Sequence, residues 1–227
     1  MSLLKKIVYP VIFMAATIQA ANAFTIHGEY YDLQNVSTLS EAQAAIAGGP
    51  QLEFDTDKLE FGRPNATPTF DIGTVDEFLT GMTATITNRV DNDLGDGIDF
   101  DHYMGESLWR FTGTAQLVNG GVLSVTSDDG FAAGFDLNMD GIFEDTEELS
   151  SFDGLQPPGS TWLSDPFAGV TGTYAFEFFY FEGHETQAQL ISNLVPGAPI
   201  SVPEPASILL LGFGLAGLGF SRRKVKA

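Results

Sequence analysis

The sequence predicts an all-β sandwich with one short helix, and three observations carry that prediction. Between the two ends of the chain, apolar and aromatic residues alternate with polar ones in short runs, and no long stretch recurs at helical spacing. The 25 glycines and 11 prolines punctuate these runs at turn positions. Cysteine is absent, so an exported domain of this kind is held by its core rather than by disulfides, and zinc-thiolate sites and cysteine nucleophiles are excluded. The stretch is long enough, at about 180 residues, to bury one sizeable core.

Taken in order, the single helix falls on Ser40-Glu41-Ala42-Gln43-Ala44-Ala45-Ile46-Ala47, with a Ser cap and a Gly48-Gly49-Pro50 stop. Leu108 to Leu117 and Val122 to Thr126 read as a hairpin across Asn119-Gly120-Gly121. Phe131 to Leu137 and Thr186 to Leu194 read as further strands. The clearest strand is Thr173 to Phe181. Its Tyr174, Phe176, Phe178 and Tyr180 share one face, and Ala175, Glu177, Phe179 and Phe181 share the other. Many short strands with regular turns define a sandwich or barrel. Gly197 to Pro203 then reads as a Pro-rich tether.

The two ends differ from the middle. Residues 1–23 have a basic start (Lys5, Lys6), an apolar run from Ile7 to Ile18 and a small-x-small close at Ala21-Asn22-Ala23, the pattern of a signal peptide cleaved after Ala23. At the other end, Pro203-Glu204-Pro205 precedes an apolar run from Ala206 to Phe220 and a basic tail, residues 221–227, with Arg222, Arg223, Lys224 and Lys226. A basic end stays cytoplasmic while the apolar run enters the membrane and the domain remains outside. These three ordered features resemble the PEP-CTERM sorting signal. That resemblance implies recognition by an exosortase, a cut near the Pro-Glu-Pro motif, and a Gram-negative host that makes exopolysaccharide. The expected division is therefore a signal peptide over 1–23, a β-domain over 24–196, and a tether with sorting signal over 197–227.

Without its ends the chain keeps only Lys58, Arg63, Arg89 and Arg110 as cations, against 29 acids, for a net charge near −25. Nucleic acid is excluded as a partner, because phosphate contacts need clustered cations. A divalent cation is the natural partner of such a surface.

Four segments of the middle region, in order, resemble the PA14 domain, a β-sandwich of toxins, glycosidases and adhesins. They are Gly28-Glu29-Tyr30-Tyr31-Asp32; Trp109-Arg110-Phe111-Thr112-Gly113 with Gly121-Val122-Leu123-Ser124-Val125-Thr126; Ser127-Asp128-Asp129-Gly130-Phe131; and Asp153-Gly154-Leu155-Gln156-Pro157-Pro158 with Gly172-Thr173-Tyr174 through Glu182. The second resembles the family's central hairpin and the last its closing pair of strands. The segment from Asp136 to Ser151 departs from the pattern by its length and acidity. The resemblance implies that Asp128 and Asp129, joined by a cis peptide in the sugar-binding members, hold a calcium ion that coordinates carbohydrate hydroxyls. Two adjacent carboxylates facing one point repel each other unless a cation lies between them. The alternative is a turn in which Asp128 caps backbone amides and Gly130 supplies an unusual dihedral.

Two further acidic segments stand out. Asp136, Asn138, Asp140, Gly141 and Glu147 have the spacing of a calcium loop, in which Gly141 permits the sharp turn and Glu147 closes the site. Its flanks read as strand and loop, so no EF-hand is implied, and an acidic solvated hairpin tip is the alternative. Asp91, Asp93, Asp96 and Asp99 crowd a weaker candidate that fits no template. Trp109 and Trp162 are candidates for stacking on sugar rings, against a default of core packing. No Gly-x-Ser-x-Gly elbow or His-Glu-x-x-His motif occurs, and His27, His102 and His184 are isolated in sequence. The expectation is a binding module and no enzyme: a calcium-dependent carbohydrate-binding or adhesion protein of the cell surface or exopolysaccharide matrix. The runner-up is a structural matrix protein whose acidic domain calcium stabilises, and a glycoside hydrolase is a third possibility.

Overall fold

The structure, a computed structural model, describes residues 25–200 apart from 34, 63–73, 91–104, 185–186 and 196. Both ends with their signals, and the Asp91, Asp93, Asp96 and Asp99 loop, lie outside the described residues.

Among the described residues eleven strands and two α-helices occur in the order β1 (Ile26–Asp32), α1 (Leu39–Gln43), β2 (Leu52–Thr56), β3 (Glu60–Phe61), α2 (Val75–Gly81), β4 (Thr85–Arg89), β5 (Ser107–Leu117), β6 (Ser124–Asp128), β7 (Phe131–Phe135), β8 (Glu148–Phe152), β9 (Ser160–Leu163), β10 (Gly172–Glu182) and β11 (Gln189–Ser192). They form a seven-stranded sheet, β4-β2-β1-β5-β10-β7-β8, and a four-stranded sheet, β3-β11-β6-β9. All the strand pairings are antiparallel. The predicted all-β sandwich is what the chain builds.

Alternation explains the layering. Tyr174, Phe176, Phe178 and Tyr180 of β10 enter the main core with Trp109 and Phe111 of β5, and Val125 and Leu190 enter it from the smaller sheet. Trp109 is fully buried, edge-on to Tyr30 at 4.9 Å and to Phe54 at 5.8 Å. It is a core residue, so its candidacy as a sugar platform ends here. Gly28 has no side chain because the Phe54 ring lies where one would go, with Cζ 2.3 Å from the Cβ position. On the other face of β10, Phe179 and Phe181 join Tyr31, Leu108 and Ala132 in a second apolar cluster beneath Leu39 and Ala42 of α1. The same outer face also holds an ion triad. Arg110 donates to Glu177 at 2.7 Å and to Glu29 at 3.0 Å.

The structure corrects the local predictions in three places. Helix α1 is shorter than expected and is capped by Thr38 rather than Ser40, continuing as a tight 3-10 turn over Ala44–Gly48. Thr38 wins because its hydroxyl reaches the Glu41 amide, while Ser40 already sits in the first turn. Helix α2 was not foreseen, although Thr74 and Glu77 form a full capping box. The predicted hairpin does not form. β5 pairs with β1 and β10, whereas β6 lies in the other sheet between β11 and β9. The Asn119-Gly120-Gly121 turn carries the chain across the core, which lets Trp109 and Phe111 face Leu123 and Val125 from opposite layers. Within the segment expected to be a tether, Ile200 is buried and its amide donates to Gln116 O.

Candidate functional site

The site forms where three chain segments meet at one end of the sandwich. β6 ends at Asp128 and β7 begins at Phe131, so Asp129 and Gly130 are the link between the two sheets. The Asp128–Asp129 peptide is cis. β10, between β5 and β7, ends at Glu182 beside this link. Asp128, Asp129 and Glu182 each present a carboxylate oxygen within 4.8 Å of the others, and among the described residues they are the group of acids placed to share an ion. All three are buried, at 5%, 3% and 0% exposure.

Fixed partners orient the group. Asp129 accepts from the Gln156 amide at 2.7 Å through Oδ1 and from the Gly183 amide at 2.9 Å through Oδ2. Glu182 Oε1 accepts from the His184 amide at 2.9 Å, and its Oε2 lies 2.9 Å from the Tyr180 hydroxyl. That hydroxyl also donates to the Asp128 carbonyl. Asp128 Oδ2 is buried and has no hydrogen-bond partner. Gly130 is obligatory here, since a Cβ would lie 2.7 Å from Phe152 O and 2.8 Å from the Phe181 ring.

The electrostatics follow from burial. Desolvation, reinforced by the Asp129 charge, raises the Glu182 carboxyl to about 10. The same two causes push Asp128 upward, and burial followed by the Glu182 charge raises the Tyr180 phenol well above its ordinary value. Three buried acids, one of them with an unpartnered oxygen, are the donor set that hard cations with oxygen ligands take. The residues fit calcium.

The group joins Asp128 and Asp129, both singled out in the sequence, to Glu182, which was not. The signal was the parity of β10. Two residues beyond Tyr180 on the core face comes Glu182, an acid where the alternation calls for an apolar side chain.

The second candidate loop is ordered by its own amides. Asp136 accepts from the Asp140 and Gly141 amides, both at 3.0 Å, and Asn138 Oδ1 from the Asp140 amide at 2.9 Å. Asp140 Oδ1 accepts from the Ile142 amide at 2.9 Å. Glu147 accepts from the Leu137 and Asn138 amides at 2.8 and 3.0 Å. Gly141 has φ +83°, as the sharp turn requires. The structure therefore brings the two ends of this motif together, at a place separate from Asp128. Trp162 is partly exposed on edge strand β9, stacked on Phe152 at 4.9 Å, and donates to Gln156 Oε1 at 2.8 Å. Gln156 in turn donates to Ser127 and to Asp129 O, so Trp162 stands one residue away from the acidic group. His27 lies beside Asp55 on the strand surface, and His102 is outside the described residues.

The fold places the described region among PA14-like domains. The PA14 domain of MpAFP antifreeze protein matches with a TM-score of 0.54 and 16% identity, covering 81% of this chain and 94% of that one. A PA14 sugar-binding domain from an RTX adhesin matches with a TM-score of 0.50 and 18% identity, covering 74% and 86%. Residues 201–224 match the PEP-CTERM protein-sorting motif. The protein is thus a PA14-like sandwich followed by a PEP-CTERM sorting motif. No curated protein matches the chain.

Proposed function

We propose that this is an exported carbohydrate-binding or adhesion protein whose PA14-like domain engages glycan through a calcium ion held by Asp128, Asp129 and Glu182. The observation that carries the reading is the buried three-carboxylate group with an unpartnered Asp128 oxygen. A site this acidic is stable when a cation replaces the charge repulsion. The likeness to a sugar-binding PA14 domain from an adhesin supports the carbohydrate part. Trp162, exposed and tied to Gln156, supplies an aromatic face beside the ion. The sorting motif supports export past residues 1–23, handling by an exosortase, and display on the envelope or release into an exopolysaccharide matrix of a Gram-negative bacterium. In the same reading Asp136, Asn138, Asp140 and Glu147 take a second calcium that stiffens their loop, and Asp91, Asp93, Asp96 and Asp99 a weak third.

A structural reading competes on one specific observation, the near-complete burial of all three acids, which suits an ion that only secures the fold. Calcium titration calorimetry on the purified protein, followed by polysaccharide pull-down with wild type and Asp128→Asn, separates the two. Saturable calcium binding with glycan retention that Asp128→Asn abolishes supports the lectin. Calcium binding with no retained glycan supports the structural role, and no binding at millimolar calcium refutes both.

A further inference from the structure

Ile200, the last described residue and so the exit point toward the sorting motif, lies at the end of the sandwich opposite the acidic group. Pro199 pairs with Gln116, and the buried Ile200 packs within reach of Gly121, next to the last residues of β5. Leu117 of β5 is opposite Gly172, the first residue of β10, while Glu182 is its last. The eleven residues of β10 span about 33 Å at roughly 3.3 Å per residue. The exit point and the acidic group are therefore the two poles of the domain.

The exit pole is also where the apolar surface lies. Met139, Ile142, Leu163, Val170 and Val195 are the five most exposed large apolar side chains among the described residues, at 44–79% exposure. Register places all five at this pole. The loop with Met139 and Ile142 follows β7, whose Phe135 lies opposite Phe176 near the start of β10. Its Leu137 lines a shallow cavity of about 440 Å³ together with Phe167, Val170 and Tyr174. Leu163 is opposite Ser124, and Ser124 is bonded to Asn193, two residues before Val195. Phe167 is bonded to Gly120 and Gly121, which completes the ring around the exit point.

We infer that this pole is a membrane-facing surface, seated on a zwitterionic lipid headgroup layer while the sorting tail is in the bilayer. The inference rests on the envelope-displayed form of the proposed function, in which the apolar run Ala206–Phe220 is uncut and held in the membrane. From Ile200 to Ala206 the chain reaches at most about 20 Å even when fully extended. The exit pole is therefore held within that distance of the membrane, and its apolar side chains reach the interface as an amphipathic surface does. Glu144, Asp145, Glu148 and Asp165 share the pole, so an anionic bilayer would repel it and a zwitterionic one would not. The proposed calcium and glycan site then points outward, at the far pole.

The chain contains no cysteine, so single labelling sites are unambiguous. Full-length Val170→Cys, Leu163→Cys and His184→Cys proteins, each carrying an environment-sensitive dye, are reconstituted into phosphatidylcholine vesicles containing a headgroup nitroxide lipid. The expected result is flotation of all three, with emission at 170 and 163 lowered about twofold or more by the nitroxide and emission at 184 unchanged. Flotation without quenching at 170 and 163 overturns the inference and leaves the anchor standing. Blue-shifted but unquenched emission at these positions overturns it in favour of a second copy covering the pole. Loss of flotation overturns the anchoring reading and this inference with it.

Discussion

Replacing Glu182 by Gln should stabilise the calcium-free protein and handicap the calcium-bound one. Glu182 is fully buried, and its folded value, about 10, lies above its ordinary value of 4.5. The folded chain therefore holds a proton that the unfolded chain gives up, and stability falls as pH rises from about 4.5 towards 10. At pH 7.5 that is about three units of linkage, or about 4 kcal/mol at ~1.36 kcal/mol per unit. At pH 5 it is about 1 kcal/mol or less by the same relation. Glutamine carries no ionisable proton, can still accept from the His184 amide and can donate to the Tyr180 oxygen, so it removes the linkage and keeps the bonds. Urea unfolding in chelator should show Glu182→Gln more stable than wild type by a few kcal/mol at pH 7.5 and nearly equal at pH 5. In calcium at a hundred times its Kd, wild type gains about 2.7 kcal/mol by mass action, and the variant, lacking one charged ligand, gains less. An equal stability difference at the two pH values in chelator would refute the argument, because it would mean that Glu182 does not carry its proton into the folded state.

Gly130→Ala places a methyl 2.7 Å from Phe152 O and should lower stability by about 1–3 kcal/mol, seen as a lower Tm, and weaken calcium binding in a titration. Glu147→Gln loses charge-assisted bonds to loop amides and should cost about 1.5–3 kcal/mol in chelator. That cost should grow in calcium if unfolding is followed with the ion present, which is the mark of a second site. Arg110→Met leaves Glu29 and Glu177 without their cation and should destabilise the sheet by about 1–3 kcal/mol at low salt, with no effect on calcium stoichiometry.

The parts of the fold that were legible in the sequence were those set by short periods. Alternation named both faces of β10 correctly, and Asp128-Asp129-Gly130 stood out as a candidate because its members are adjacent. The hairpin between Leu108 and Thr126 was misread because a glycine turn looks the same whether the chain folds back in one sheet or crosses to another. Only the partners β1, β10, β11 and β9 decide that, and they lie far away in sequence. Glu182 was missed for a related reason. It reaches Asp128 across 54 residues, and no local spacing records the meeting. Helix α2 was overlooked although its signals are local, the Thr74-x-x-Glu77 capping box and the apolar i, i+3, i+4 spacing of Val75, Phe78 and Leu79, because its seven residues are too few for that period to stand out.

The placement of β10 between β5 and β7 has a consequence for the order of events in export. β10, an interior strand of the larger sheet, is among the last to emerge from a translocating chain, and it brings Glu182 with it. Until then β5 and β7 lack their shared neighbour, and the two aspartates have no third acid beside them. Such late, long-range pairing makes for slow folding. The three-carboxylate group of the nascent protein is thus assembled only once nearly the whole domain is outside.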